Sequence, residues 1–331
     1  PISGLALHLL RQCADRAAVT ACFFVKLRES SSPGRGARFD WGGIVTFPLA
    51  VAGMLAALTF VTMGLWGTPL TNAMFAAGGA LMVVFVVIER HVREPMMDMA
   101  LFRIRLFWAG NSALFLNTLA RGATMFIMSW YFQAVLNDEP LIAGLKLLPF
   151  AVAMACSAPI AGKLSDRLGS MLLATSGLVG TAVAMLWMAT FPVNVPYPLL
   201  AVALVILGVS NAVFNTPNTN AVMGAVPSSR RGVAAATRTL LLNSGQMIAI
   251  ALTMAIVSTT MSYRTLVSLF SGAASTAQGL DAQAFMDGLH TLFLVSTALS
   301  VLAIVCSAMR GRETQAGESE VSLLEPAIEA A

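Results

Sequence analysis

Long apolar runs separated by short polar breaks organise this sequence. A helix that crosses a bilayer needs about 20 mostly apolar residues. Eight runs reach that length, near residues 43–65, 69–88, 107–136, 141–162, 171–191, 197–223, 233–261 and 287–308. The third and seventh are long enough to include interfacial turns or a strong tilt. Residues 1–26 are less regular: the apolar stretch from Ala17 to Val25 is too short to span, and Arg11, Asp15 and Arg16 interrupt what precedes it. The tail of a broken helix and an interfacial segment are both open readings there. Residues 27–40 have the composition of a polar linker, 262–286 read as a longer polar loop, and 313–331 as an acidic tail expected to be disordered.

The basic residues alternate from break to break. One set of breaks holds Lys26, Arg28, Arg35 and Arg38, then Arg90, Arg93, Arg103 and Arg105, then Lys163 and Arg167, then Arg230 and Arg231, then Arg310 and Arg312. The other set, at 66–68, 137–140, 192–196 and 262–286, contains Arg264 as its one basic residue, beside Asp138, Glu139 and Asp281, with Asp287 at the edge. The positive-inside rule then places the linker and the C-terminus in the cytoplasm with an even number of crossings between them, which eight spans satisfy. The expected localisation is the plasma membrane.

Composition sharpens the class. The chain is 57% hydrophobic and 11% charged, with a mean hydropathy of +0.78. A soluble domain is about 25% charged, so these residues could not cover a water-facing surface, and membrane lipid is the expected surrounding. The net charge of +4 would suggest nucleic acid in a soluble protein, but here the basic residues are topology signals and no nucleic-acid partner is expected. Cys13, Cys22, Cys156 and Cys306 show no metal-ligand spacing, and His8, His91 and His290 are scattered, so neither a metal nor a cofactor is expected. The chain opens Pro1-Ile2-Ser3, without an initiator Met or a signal-peptide layout, which reads as a truncated N-terminus.

Three cations lie within the apolar runs. A charge in hydrocarbon costs about 2.5–3.5 kcal/mol on insertion scales, so each needs polar surroundings or a reason to be there. Lys146 is near one end of its run and can snorkel; Arg238 is about one and a half turns from the cytoplasmic end. Arg121 is about 20 Å into its run at 1.5 Å per residue, with Asn117 and Thr124 on the same face. That stripe reads as the lining of a cavity or as an inter-helix contact. Asn211, Asn215 and Asn218, beside Pro217, form a second stripe, and Thr239, Asn243 and Gln246 a third. Amides facing lipid would be costly, so these faces are expected to point into protein or water, as a pathway lining or as glue between helices. Met125, Met128, Met154 and Met247 suit either promiscuous ligands or lipid contact. No Asp or Glu lies deep in any run, and no Ser/His/Asp, His/Glu or Cys cluster can be assembled for catalysis, so an enzyme is not expected.

Residues 162–170, Gly-Lys-Leu-Ser-Asp-Arg-Leu-Gly-Ser, follow the pattern G-x-L-x-D-R-x-G. Arg38-Phe39-Asp40-Trp41 opens the first span, and Glu94-Pro95-Met96-Met97-Asp98-Met99 with Leu101-Phe102-Arg103 follows the second. Tyr131-Phe132-Gln133, Ala143-Gly144-Leu145, Leu148-Pro149, Asn215-Thr216-Pro217-Asn218, Val226-Pro227 and Arg231-Gly232-Val233-Ala234 come next in order. Together, over residues 27–310, these resemble the major facilitator superfamily, in its fourteen-helix drug:proton antiporter branch. The resemblance implies an all-α membrane protein of about eight transmembrane helices: a partial N-terminal segment and cytoplasmic linker (1–41), two linker helices and a loop (42–106), a six-helix C-terminal bundle (107–310) and a tail (311–331). It implies that Gly162, Asp166, Arg167 and Gly169 form a cytoplasmic gating loop, although Ser170 and Met171 stand where the family usually has basic residues. It also implies a substrate pathway through Asn117, Arg121, Thr124, Gln133, Asn211, Asn215, Asn218, Arg238, Asn243 and Gln246. The expected function is the C-terminal part of a proton-coupled exporter of drugs or other amphipathic small molecules. Its expected partners are that substrate and a missing N-terminal six-helix half, which would hold the coupling carboxylate. The alternative is a truncated membrane protein with no transport cycle.

Overall fold

A computed structural model describes residues 40–63, 65, 67–92, 95–260 and 282–310. The chain divides into two units, Pro1–Arg38 and Phe39–Ala331, and all described residues belong to the second. The expectations for residues 1–39, for Arg93 and Glu94, for most of the polar loop with Arg264, and for the acidic tail from 311 lie outside the described residues.

Each apolar run becomes a helix. Helix α1 is Trp41–Thr62 and starts where Asp40 accepts a hydrogen bond from the Gly43 N–H at 2.9 Å. Helix α2, Pro69–Glu89, opens with Thr68 as cap and Pro69 at its first position, where the missing N–H costs nothing. A 3-10 turn, Met99–Arg103, capped by Asp98, leads into α3, Arg105–Trp130, which a π turn continues through Tyr131–Val135. There follow α4 (Pro140–Leu168), α5 (Ser170–Met188), α6 (Tyr197–Gly224), α7 (Arg231–Val257) and α8 (Ala282–Ala308). No strand occurs among the described residues. Two boundaries differ most from the sequence expectation. Helix α4 runs to Leu168 rather than ending near 162, and α8 begins at Ala282 rather than 287. Pro48, Pro149, Pro159 and Pro217 all lie inside helices. Pro217 therefore does not break α6.

Seven of these helices are long and apolar enough to cross a membrane. The exception is α3, whose 26 residues would reach about 39 Å but which contains Asn111, Asn117, Arg121 and Thr124. Its position explains how it tolerates them. It packs against α6, α7 and α8, and Asn111, Asn117, Thr118 and Thr124 are all buried. By contrast α4 exposes Leu141, Leu145, Leu148, Val152 and Ile160, an apolar exterior suited to lipid.

Around the bundle α4 packs on α6, α6 on α5, α5 on α8, α8 on α3 and α3 on α7, while the α1–α2 hairpin leans on α7 through Leu240. The largest core cluster lies at the end opposite the arginine-rich breaks and includes Tyr131, Phe132, Phe191, Phe285 and Phe293. There the Tyr131 hydroxyl donates to the Val193 carbonyl at 2.8 Å, and a His290 ring nitrogen lies 2.7 Å from the Phe191 carbonyl.

Candidate functional site

A cavity of about 410 Å³ lies between α4, α6 and α7. Its apolar wall is Met154, Ala155, Ala158, Ala212 and Leu242, and its polar wall is Asn211, Asn215, Thr216, Thr219 and Arg238. Residues 211, 215 and 219 are one helical turn apart on α6, so their side chains form a single polar row. Arg238 on α7 reaches across to that row. One terminal nitrogen, Nη2, donates to Asn215 Oδ1 at 2.7 Å and to Thr219 Oγ1 at 2.6 Å. The other, Nη1, is buried without a partner among the described residues, and the whole residue is 7% exposed.

Of the ten pathway residues expected from sequence, the cavity wall brings together Asn211, Asn215 and Arg238. Asn218 turns away, and its amide donates to the Gly110 carbonyl of α3 at 3.4 Å. Gln246 joins α7 to α3 by donating to the Gly122 carbonyl at 3.1 Å. Gln133 bonds locally to Ser129, Thr124 donates to the Ala120 carbonyl and the Met185 sulfur, and Asn243 is exposed. Asn117 is buried, and its Oδ1 has no partner among the described residues. Arg121 is not on the wall; its guanidinium lies over the Phe150 ring of α4, 5.8 Å from the centroid, with Nε buried and unpartnered. Phe150 is one turn from Met154, so Arg121 sits beyond one end of the cavity.

Lys146 is paired with Asp138, and its ammonium lies over the rings of Phe132 and Tyr197 at 5.4 and 5.7 Å. Sequence reading missed Thr216, Thr219 and Leu242 on the wall. For Thr219 the signal was present, since it continues the spacing of Asn211 and Asn215.

At the arginine-rich end, Gly162, Asp166 and Arg167 lie on the last turns of α4, and Gly169 alone separates α4 from α5. Gly169 has φ of 84°, a conformation that a side chain would disfavour. Gly162 behaves differently: a Cβ there would meet Thr216 at an ordinary 3.7 Å, so close helix approach does not account for it. Asp166 and Arg167 are exposed, and neither forms an ion pair among the described residues. No group of three or more His, Cys, Asp or Glu side chains among the described residues could hold a metal ion.

An arginine and amides at the wall of a cavity within apolar helices can bind and release a solute. The comparison with known families is consistent with that. The Major Facilitator Superfamily profile matches residues 111–326. The chain belongs to the Major Facilitator Superfamily. It is therefore an all-α, multi-pass membrane protein of a transporter family. Among its superfamily relatives, the "Multidrug resistance protein Stp" of Mycobacterium tuberculosis is 29% identical over 216 residues, 65% of this chain and 39% of Stp. The "Multidrug efflux pump LfrA" of Mycolicibacterium smegmatis is 30% identical over 164 residues, 50% of this chain and 32% of LfrA. The "Riboflavin transporter RibZ" of Clostridioides difficile is 29% identical over 155 residues, 46% of this chain and 34% of RibZ. The matches span under two fifths of each of these relatives. Within the superfamily match lie the cavity, the α4–α5 junction and Arg121.

Proposed function

We propose that residues 107–310 form the C-terminal six-helix bundle of an exporter of amphipathic small molecules. In this reading residues 42–106 supply two linker helices, and a further six-helix half of the same protein completes the transporter. The observation that carries this is the cavity of mixed polar and apolar walls, set among spanning helices of a superfamily member. Transporters of this kind bind near the midplane between two helical bundles that rock against each other. In such a cycle Asp166, exposed on the last turn of α4, pairs with a charge or helix terminus of the other bundle in one access state. Gly162, Arg167 and Gly169 shape that gate. Asn117, Arg121, Thr124 and Gln246 support the pathway from α3 and α7.

Accumulation of the neutral amphipathic dye Nile red tests the function, in cells expressing the chain joined to its upstream coding sequence. Accumulation is expected to fall below the vector control. Asp166→Asn should return it most of the way to that control while membrane abundance stays near wild type. Accumulation at the control level for the wild-type protein would favour the second reading, a membrane protein without a transport cycle, which the short coverage of its relatives also accommodates. Parallel loss of protein and activity in Asp166→Asn would make Asp166 a folding residue.

The proposed topology places the arginine-rich breaks and the C-terminus in the cytoplasm of a cell whose plasma membrane holds the protein. In a cysteine-free background, a cysteine at Asn194 should react with an impermeant maleimide on intact cells. One at Ser229 should react after permeabilisation alone. The opposite pattern would invert the topology.

A further inference from the structure

We infer that the cavity between α4, α6 and α7 binds an anionic oxygen group, a carboxylate or a phosphate, at Arg238; this rests on the pathway reading above and gives the substrate a charge. Three observations carry it. First, Arg238 is more than nine-tenths buried and forms part of the cavity wall. A guanidinium stays protonated throughout the accessible pH range, so its charge is permanent. Second, its hydrogen-bond partners among the described residues, Asn215 and Thr219, are neutral, and the wall contains no carboxylate. They fix the side chain's direction by holding Nη2 and leave its charge uncompensated. Third, Nη1 has no hydrogen-bond partner among the described residues. A buried cation with an unused pair of donors beside a solute-sized cavity is half of an ion pair.

The opposite wall specifies the rest of the ligand. Met154, Ala155 and Ala158, within little more than a turn of α4, and Leu242 of α7 offer a soft apolar surface. A volume of about 410 Å³ is in the range that holds a small drug-like molecule. The matching solute is a flat apolar body with one anionic group, which turns that group to Arg238 and its body to α4.

The test uses the purified chain in phosphatidylcholine nanodiscs and two tritiated probes of equal shape, 1-naphthoate and 1-naphthamide, with binding to empty discs subtracted. Wild type is expected to bind the naphthoate about tenfold more tightly than the amide, the scale of one hydrogen bond to a charged group. Arg238→Gln should bring the naphthoate down to the amide's affinity, and its monodisperse elution on size exclusion shows that the variant is folded. Arg238→Lys should restore part of the preference. Leu242→Trp, which fills the cavity, should remove saturable binding of both probes.

Equal affinity of wild type for the two probes, or a preference that survives Arg238→Gln, overturns the anion site. Saturable binding that Leu242→Trp still abolishes would in that case leave the cavity reading standing. No saturable binding of either probe sinks both. Discs containing phosphatidylglycerol separate the sources of the anion. Naphthoate binding within twofold of the phosphatidylcholine value is expected for a soluble ligand, and loss of binding would overturn that assignment in favour of a lipid headgroup.

Discussion

Gly208→Ala is expected to remove most of the folded protein, and Gly177→Ala to come close behind it. A Cβ on Gly208 of α6 would collide with the Phe150 carbonyl of α4 and lie 3.1 Å from the Met154 nitrogen. One on Gly177 of α5 would lie 2.5 Å from the Phe214 nitrogen and 2.7 Å from the Ser210 carbonyl of α6. These neighbours are mostly backbone, so no rotamer change relieves them; α6 would have to move away from α4 or α5. Membrane helices have little hydrophobic force between them and depend on such close contact. Overpacking costs roughly 1–3 kcal/mol where side chains can adjust, and about 3 kcal/mol or more is expected here because they cannot. Gly144→Ala provides the control, since a Cβ there meets nothing within 4 Å. Thermal unfolding followed by size exclusion of the purified variants reads the effect. If Gly208→Ala melts with Gly144→Ala, α4 and α6 are not as close as described. The same contact has a functional side. Phe150 lies under Arg121 and Met154 lines the cavity, so the α4–α6 spacing that Gly208 sets also fixes the cavity wall.

The helices were legible because length and apolarity are properties of the sequence itself. Their ends were harder to read. Lys163, Asp166 and Arg167 stop the apolar run, yet the backbone of α4 continues to Leu168, because an exposed last turn bonds internally and lets charged side chains stand in water. The element stops where Gly169 permits a positive φ. The site was legible only in part. Depth along a helix shows how costly a charge is, and by that measure Arg121 was the more notable cation. Depth does not show which neighbour the side chain faces. That depends on how helices are rotated against each other, and helices apolar on every side give little pattern from which to infer rotation. Asn218 and Thr219 illustrate the limit. Either fits the spacing of Asn211 and Asn215, and packing sends Thr219 to the cavity and Asn218 to α3.

Residues 1–331 alone are expected to show no substrate-dependent proton movement in liposomes under an imposed pH gradient. A coupling group must bind a proton in one access state and release it in the other, which in a membrane transporter calls for a buried carboxylate. Among the described residues the acids lie at helix ends. Asp138 is paired with Lys146, Asp98 with Arg230, Asp166 is on the last turn of α4, and Asp287 near the start of α8 accepts from Gln283. Arg121 and Arg238 cannot release a proton within reach of physiological pH. Lys146, near the start of α4, is paired with Asp138 and lies over two aromatic faces. Joining the chain to upstream helices that contain a buried Asp or Glu should restore coupling. Proton-coupled flux from the 331-residue chain by itself would overturn this assignment and direct attention to the base of α1 and α2. There Asp40 Oδ2 and Glu89 Oε1 are buried without hydrogen-bond partners among the described residues and converge on Gly43. Glu89→Gln, which keeps the shape and removes the titration, would then abolish the flux if that pair were its source.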